Sequence, residues 1–435
     1  MESKPEPKPE PKPEPESPPI VAWIGLDWAD QEHHVCLQAV DSARVERMVV
    51  AQRPEALQDW VGQLRARFPQ GQVAIALEQS RGALIYALMN YDFLRLYPVP
   101  GKTLADYRKA FFGSGAKGDP SDAELLLEVL RCHRDRLRVW APDDVPTRHL
   151  CLLTEQRRKL VDDRTALTNR LGSLLKESFP QALDWVGELG HSAASEFLAK
   201  WPSLAAVQQA RPSALRDFYR RHFRLKPEEL EQRLAEIRRA QPLTSDPAIL
   251  ETNALIVPLL AAQLQTLLAS IERVQAAIAK SFSQHPDYHL WEILPGAGDA
   301  LAPRLLVAFG SDRKRHQNAG ELQKFSGIAP VTASSGRSRW VHWRWACPKF
   351  LRQTFHEFAA HSIAGSTWAR AYYFQQLARG KHHHAAVRAL AFKWIRILYR
   401  CWQDHTPYNE QLYLQALARR GSPLVAHFQT LELVA

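Results

Sequence analysis

Cysteine is sparse and scattered in this chain. The five residues, Cys36, Cys132, Cys151, Cys347 and Cys401, form no C-x-x-C pair and are odd in number. That pattern excludes a disulfide framework and a cysteine-based structural zinc site, and it points to a reducing compartment. No secretory signal is expected either, because the N-terminus is charged and proline-rich. No apolar run is expected to reach the ~20 residues that span a bilayer. The expectation is therefore a cytoplasmic protein with no membrane partner.

What is present is a chain of 435 residues, long enough for two or three domains with real cores. Its 46% apolar content excludes wholesale disorder, and a net charge of +10 favours a polyanionic partner. Residues 1–19 repeat Pro-Glu-Pro-Lys, and alternating charge with proline predicts an extended, disordered arm.

The segment 20–148 alternates strand and helix patterns. Strands are expected at 21–26, 35–39 and 45–50, followed by a helix with Ala56, Leu57, Trp60, Val61 and Leu64 on one face. A strand at 73–77, a helix at 83–89 and a strand at 94–99 complete the pattern. Three antiparallel strands and then helix–strand–helix–strand is the order of an α/β ribonuclease-H-like fold, with other α/β arrangements left open.

Four acids stand out within it. Asp27 ends the first strand, Glu78 ends the fourth, and Asp119 and Asp122 lie in Lys117-Gly-Asp-Pro-Ser-Asp-Ala123 before an apolar helix. Hard divalent cations take oxygen ligands, so converging carboxylates suit metal-assisted phosphoryl chemistry. Asp119 and Asp122 read equally well as the start of a helix, one as N-cap and the other at N3 beside a first-position proline. Capping gives no reason for an acid at the end of each of two hydrophobic strands.

The segment 149–282 is expected to be a helical, coiled-coil region. Leu153, Leu160, Leu167 and Leu174 recur every seventh residue, as do Val257, Leu264, Ile271 and Ile278, with Leu260, Leu267 and Val274 at the second heptad position. The two stretches could pair with each other or with another subunit. A mainly helical domain is expected over 283–407, and a tail over 408–435. It opens on Leu294-Pro-Gly-Ala-Gly, which reads either as a helix-hairpin-helix phosphate contact or as a simple turn. The Ser-rich loop 332–336 follows, then a basic stretch with Arg337, Arg339, Arg344 and Lys349. Trp340, Trp343 and Trp345 are interleaved with those cations, a mixture suited to nucleic acid, although some of the tryptophans are expected in the core.

These motifs in this order resemble the DEDD-type insertion-sequence transposases, insertion-sequence family one hundred and ten, described as bridge-RNA-guided recombinases. The first half resembles that family's RuvC-like domain through G-L-D ending at Asp27, A-L-E ending at Glu78 and K-G-D-P-S-D-A around Asp119 and Asp122. The second half resembles its transposase domain through L-P-G-A-G-D-A, F-S-G-I-A-P, S-S-G and L-R-Q-T-F-H-E-F-A-A from Leu351. Gly118 stands where the family commonly has threonine, and the stretch after S-S-G is unusually rich in Trp and Arg.

The resemblance implies a DNA transposase with a composite site. Ser335, with Ser334 as the neighbouring candidate, would attack a DNA phosphate, while Asp27, Glu78, Asp119 and Asp122 hold Mg²⁺, or Mn²⁺ in its place. It also implies a guide RNA as partner and a homodimer or homotetramer acting on two duplexes. From the residues alone, S-S-G reads as a turn. Two other functions stay open: a RuvC-like, metal-dependent, structure-selective nuclease, and a basic binding scaffold without catalysis.

Overall fold

The computed structural model describes residues 18–111 and 119–425. The chain divides into two compact units, 1–142 and 143–435.

In the first unit, strands β1 (Ile20–Asp27), β2 (Glu32–Ala39), β3 (Val45–Ala51), β4 (Gln72–Leu77) and β5 (Leu94–Pro98) form one sheet. Its order is β3-β2-β1-β4-β5, antiparallel from β1 to β3 and parallel from β1 through β4 to β5. This is the order and direction expected of an RNase H-like fold. Helices α1 (Pro54–Arg67), α2 (Ala83–Leu88), α3 (Gly101–Phe111) and α4 (Asp119–His133) cover it.

The period of two along a strand sorts the faces. Ala22, Ile24 and Leu26 bury against Trp60, Val61 and Leu64 of α1 and Leu84, Ile85 and Leu88 of α2. Ala74, Ala76 and the body of Trp23 face the other way, against Leu104 of α3 and Leu125, Leu126, Val129 and Leu130 of α4. With both faces covered, β4 is buried along its whole length.

Among its described residues, the second unit is helical apart from one hairpin. Its helices are α5 (Val145–Ser178), α6 (Ala182–Trp185), α7 (Ser192–Lys200), α8 (Leu204–Gln208), α9 (Pro212–His222), α10 (Pro227–Arg239) and α11 (Pro247–Ser283). They are followed by α12 (Tyr288–Trp291), α13 (Gly298–Phe309) and α14 (Ala319–Phe325). The hairpin strands are β6 (Val331–Ser335) and β7 (Ser338–His342), and α15 (Lys349–Gly365), α16 (Thr367–Ala378), α17 (His383–Gln403) and α18 (Glu410–Arg419) come last.

The heptad stretches pair within the chain. Thr147 near the start of α5 meets His285 just past the end of α11 at 2.9 Å, and Asn253 near the start of α11 donates to the Leu174 carbonyl near the end of α5 at 3.2 Å. The two helices are therefore antiparallel. Val257, Leu264, Ile271 and Ile278 are all buried, each contributing about 1.5–3 kcal/mol of apolar burial.

One sequence expectation needs correction here. Residues 252–271 carry no charge, and α11 is long and apolar enough to cross a membrane by length and composition. Val257, Leu260, Ala261 and Leu264 instead join one core with Leu171 and Leu175 of α5 and Phe197 of α7.

A second core gathers Trp291, Phe309, Phe355, Phe358, Trp368, Trp394 and Trp402. Trp368, Trp394 and Trp402 donate their indole N–H groups to the Tyr408 hydroxyl, Ser362 Oγ and the Gly310 carbonyl at 2.7, 2.8 and 2.9 Å. At Leu294-Pro-Gly-Ala-Gly, Gly296 has φ +74° and lies where a Cβ would press on the His361 carbonyl of α15. Helix packing alone therefore requires that glycine.

Candidate active site

The parallel register of β1 and β4 sets Leu26 opposite Leu77. The next residue along each chain segment is an acid: Asp27 is the last residue of β1, and Glu78 is the first residue past the end of β4. Asp27 continues the face of Gly25, the one that α4 covers, and the Glu78 carboxylate lies against Gly101 at the start of α3. Asp27 is half-buried and Glu78 exposed.

Asp122 reaches this face from α4. It is 3% exposed and forms an ion pair with Arg108 of α3, whose side chain is also largely buried. Asp119 is the first residue of α4, but its side chain lies outside the described residues, as does Gly118. Among the described residues, no group of three or more His, Cys, Asp or Glu side chains is arranged to hold a metal ion.

Ser334 and Ser335 belong to the second unit, where the expected loop is mostly strand. Residues 332–335 lie in β6, paired with β7 so that Ser335 faces Ser338 and Ser334 faces Arg339. The turn is only Gly336-Arg337, with Gly336 at φ +57°, the backbone a tight two-residue hairpin needs at its first central position. Both serines are exposed, and neither hydroxyl has a hydrogen-bond partner among the described residues. Arg337, Arg339 and Lys349 are exposed and Arg344 is half-buried.

The tryptophans expected in the core are not there. Trp340, Trp343 and Trp345 are 50%, 40% and 78% exposed. A two-stranded hairpin offers them no second layer to bury against, and the core positions are filled by other tryptophans. Trp343 is held by cations, with Arg388 of α17 3.8 Å and Arg352 of α15 5.4 Å from its ring centre.

Comparison with known proteins gives the family of the chain. Residues 24–180 match the IS110 DEDD transposase family model, and residues 288–374 match the transposase IS116/IS110/IS902 family. The chain belongs to the IS110 family of insertion-element transposases. It is 25% identical to the mini-circle candidate transposase for IS117 of Streptomyces coelicolor, across 90% of this chain and 96% of that protein. It is 26% identical to the uncharacterized 42 kDa protein of insertion element IS900 of Mycobacterium paratuberculosis, across 89% and 97%. The uncharacterized 43.6 kDa protein of insertion element IS110 of S. coelicolor is 27% identical, across 90% and 96%.

Three residues of the transposase beside the acids are not evident from its motifs. Arg108 supplies the cation against Asp122. Gly101, the first residue of α3, lies where any Cβ would overlap the Glu78 carboxylate. His34 sits directly across β2 from Asp27 in the antiparallel register. Only Gly101 carries a local signal, because Pro100-Gly101 punctuates the end of β5. The other two come into place through strand pairing and helix docking.

The donor set suits a hard cation. Asp27 and Glu78 offer the carboxylate oxygens that Mg²⁺ and Mn²⁺ take. The carboxylate of Asp122 is engaged by Arg108.

Proposed function

We propose that this transposase cuts and rejoins DNA through a serine nucleophile, Ser335 or its neighbour Ser334, acting at a phosphate beside Mg²⁺. Asp27, Glu78, Asp119 and Asp122 hold the ion, and Mn²⁺ substitutes for it. A structured guide RNA selects the DNA, a homodimer or homotetramer serves the two duplexes, and the work is done on the nucleoid in the cytoplasm. Residues 20–148 form the RuvC-like part, 149–282 the coiled-coil spacer and 283–407 the serine-bearing part with a helix-hairpin-helix at Leu294-Pro-Gly-Ala-Gly.

In the reaction the serine Oγ bonds to phosphorus, the hydroxyl proton leaves, and the bond from phosphorus to one strand's oxygen breaks. That oxygen takes up a proton, and the phosphoserine ester keeps the phosphodiester energy for rejoining. Bound at the acids, the ion would stabilise charge on the phosphate oxygens. The hairpin supports this by presenting both hydroxyls to solvent. Arg337 and Arg339 on the same hairpin offer phosphate contacts, with Arg344 and Lys349 on the stretch that follows.

The observation that supports the reading is the parallel register of β1 and β4, which pairs Leu26 with Leu77 so that an acid follows at the end of each of these neighbouring strands. A covalent protein–DNA adduct, trapped on denaturing gels and lost in Ser335→Ala, is the expected result. The second reading, a RuvC-like nuclease, is favoured by the serine hydroxyls having no activating partner among the described residues. Nicking that survives Ser335→Ala and Ser334→Ala but disappears in Asp27→Asn would select it.

A further inference from the structure

Residues of helices α5, α11, α13 and α15 line a small cavity, and none of its arginines is among the residues assigned above. Thr154, Arg157 and Arg158 of α5, Arg304 of α13 and Phe350 of α15 line it, around about 30 Å³ of free space, more than one water needs. Three guanidinium groups on so small a wall demand negative charge, and what the fold provides is incomplete.

Arg304 is 8% exposed. Its Nη1 donates to Glu357 at 2.6 Å, its Nε donates to Thr354 Oγ1 at 3.1 Å, and its guanidinium lies 4.8 Å from the Phe350 ring centre. The remaining nitrogen, Nη2, is buried with no partner. Arg158 pairs with Asp162 at 2.8 Å and stands 3.9 Å from Glu357. Glu357 also accepts from Gln353 at 2.6 Å.

Arg157 has no ion pair among the described residues, and its Nε is buried without a partner. Burial and the charges of Arg304, Arg164 and Arg158 all act against its protonated form. A guanidinium is not relieved by losing its proton at any ordinary pH, so an anion is the natural partner for the half-buried Arg157 and its unpaired Nε.

We propose that this cavity is an oxyanion site that takes one phosphate-type group, with the free N–H groups of Arg157 Nε and Arg304 Nη2 as donors. Planar guanidinium forks match such oxygens in charge and geometry. The group is either a backbone phosphate of bound nucleic acid or free inorganic phosphate. The site does not depend on the serine and metal chemistry proposed above.

The test uses the full chain and Arg157→Gln, with Arg157→Lys alongside to keep the charge but lose the fork. Melting is measured in chloride and in inorganic phosphate at matched ionic strength, and duplex DNA binding is measured against salt. Wild type should melt about 2–4 °C higher in phosphate, with the gain abolished in Arg157→Gln and reduced in Arg157→Lys. If a backbone phosphate is the occupant, the slope of log affinity against log salt falls by about one in Arg157→Gln. A phosphate gain with an unchanged slope supports the site and names free phosphate as the occupant. Equal melting in the two salts together with an unchanged slope overturns it. A protein that binds no DNA at all would defeat the proposed function, while the melting comparison alone would still decide this site. Should Arg157→Gln fail to fold, Arg157→Lys carries the same comparisons.

Discussion

Gly25 of β1 and Ala123 of α4 touch backbone to backbone. A Cβ at residue 25 would overlap the Ala123 carbonyl oxygen and the amide of Leu127. This close approach seats α4 on the sheet, and it sets Asp122 one residue before the contact and Asp27 two residues beyond it. Gly25→Ala should therefore lower the stability of the first unit by about 1–3 kcal/mol through overpacking. It should also reduce DNA cleavage, by displacing α4. Urea unfolding followed beside cleavage checks both. Unchanged stability would mean that α4 docks elsewhere.

The buried pair between Asp122 and Arg108 separates two roles for that acid. Loss of a helix cap would cost about 0.5–2 kcal/mol, whereas Asp122→Ala strands a buried guanidinium and should cost about 3–5 kcal/mol. Asp122→Asn preserves shape and should fold better than the alanine variant while cleaving DNA at least 100-fold more slowly. Wild-type cleavage by Asp122→Asn would remove this residue from the acidic set.

Acid should loosen the joint between α5 and α11. His285 is 4% exposed, accepts the Asp287 N–H at Nδ1 at 3.0 Å, and so carries its proton on Nε2, which donates to Thr147 Oγ1 at 2.9 Å. Burial holds this imidazole below its ordinary 6.5, with Asp144 and Asp287 pulling weakly the other way. The unfolded chain takes up the proton first as pH falls, so stability is complete above 6.5 and declines below it. Melting temperatures from about pH 8 to about pH 5 should show that decline, and His285→Gln should flatten it. An unaltered profile in the variant would assign the effect to His33 and His356, which burial lowers in the same direction.

Trp345 should contribute to binding and not to folding. At 78% exposure it has little packing to lose, so Trp345→Ala should leave melting within about 0.5 kcal/mol of wild type. Stacking on a base is worth about 1–3 kcal/mol, which predicts a five- to 100-fold or greater loss of affinity for single-stranded nucleic acid. Affinity by fluorescence anisotropy tests this. Equal affinities would restrict the contact to the arginines and Lys349.

Much of this architecture was already written along the chain. Short apolar runs bounded by polar turns marked where β1 through β5 fall along the chain, and their succession suggested an RNase H-like order. Heptad spacing marked both long helices, and the acids at 27 and 78 were visible as charges closing hydrophobic strands. Pairing partners and neighbours across space were not. The antiparallel docking of α5 on α11, the cation of Arg108 beside Asp122, and the approach of α4 at Gly25 all arise where segments far apart in the chain meet. The same holds for the three tryptophans after the hairpin. Composition made them candidates for the core, but a core has finite volume, and Trp291, Trp368, Trp394 and Trp402 fill it. Local periodicity is a property of neighbours along the chain. Which charge is compensated, and which ring is left in water, depends on packing, and packing exists only after the chain has folded.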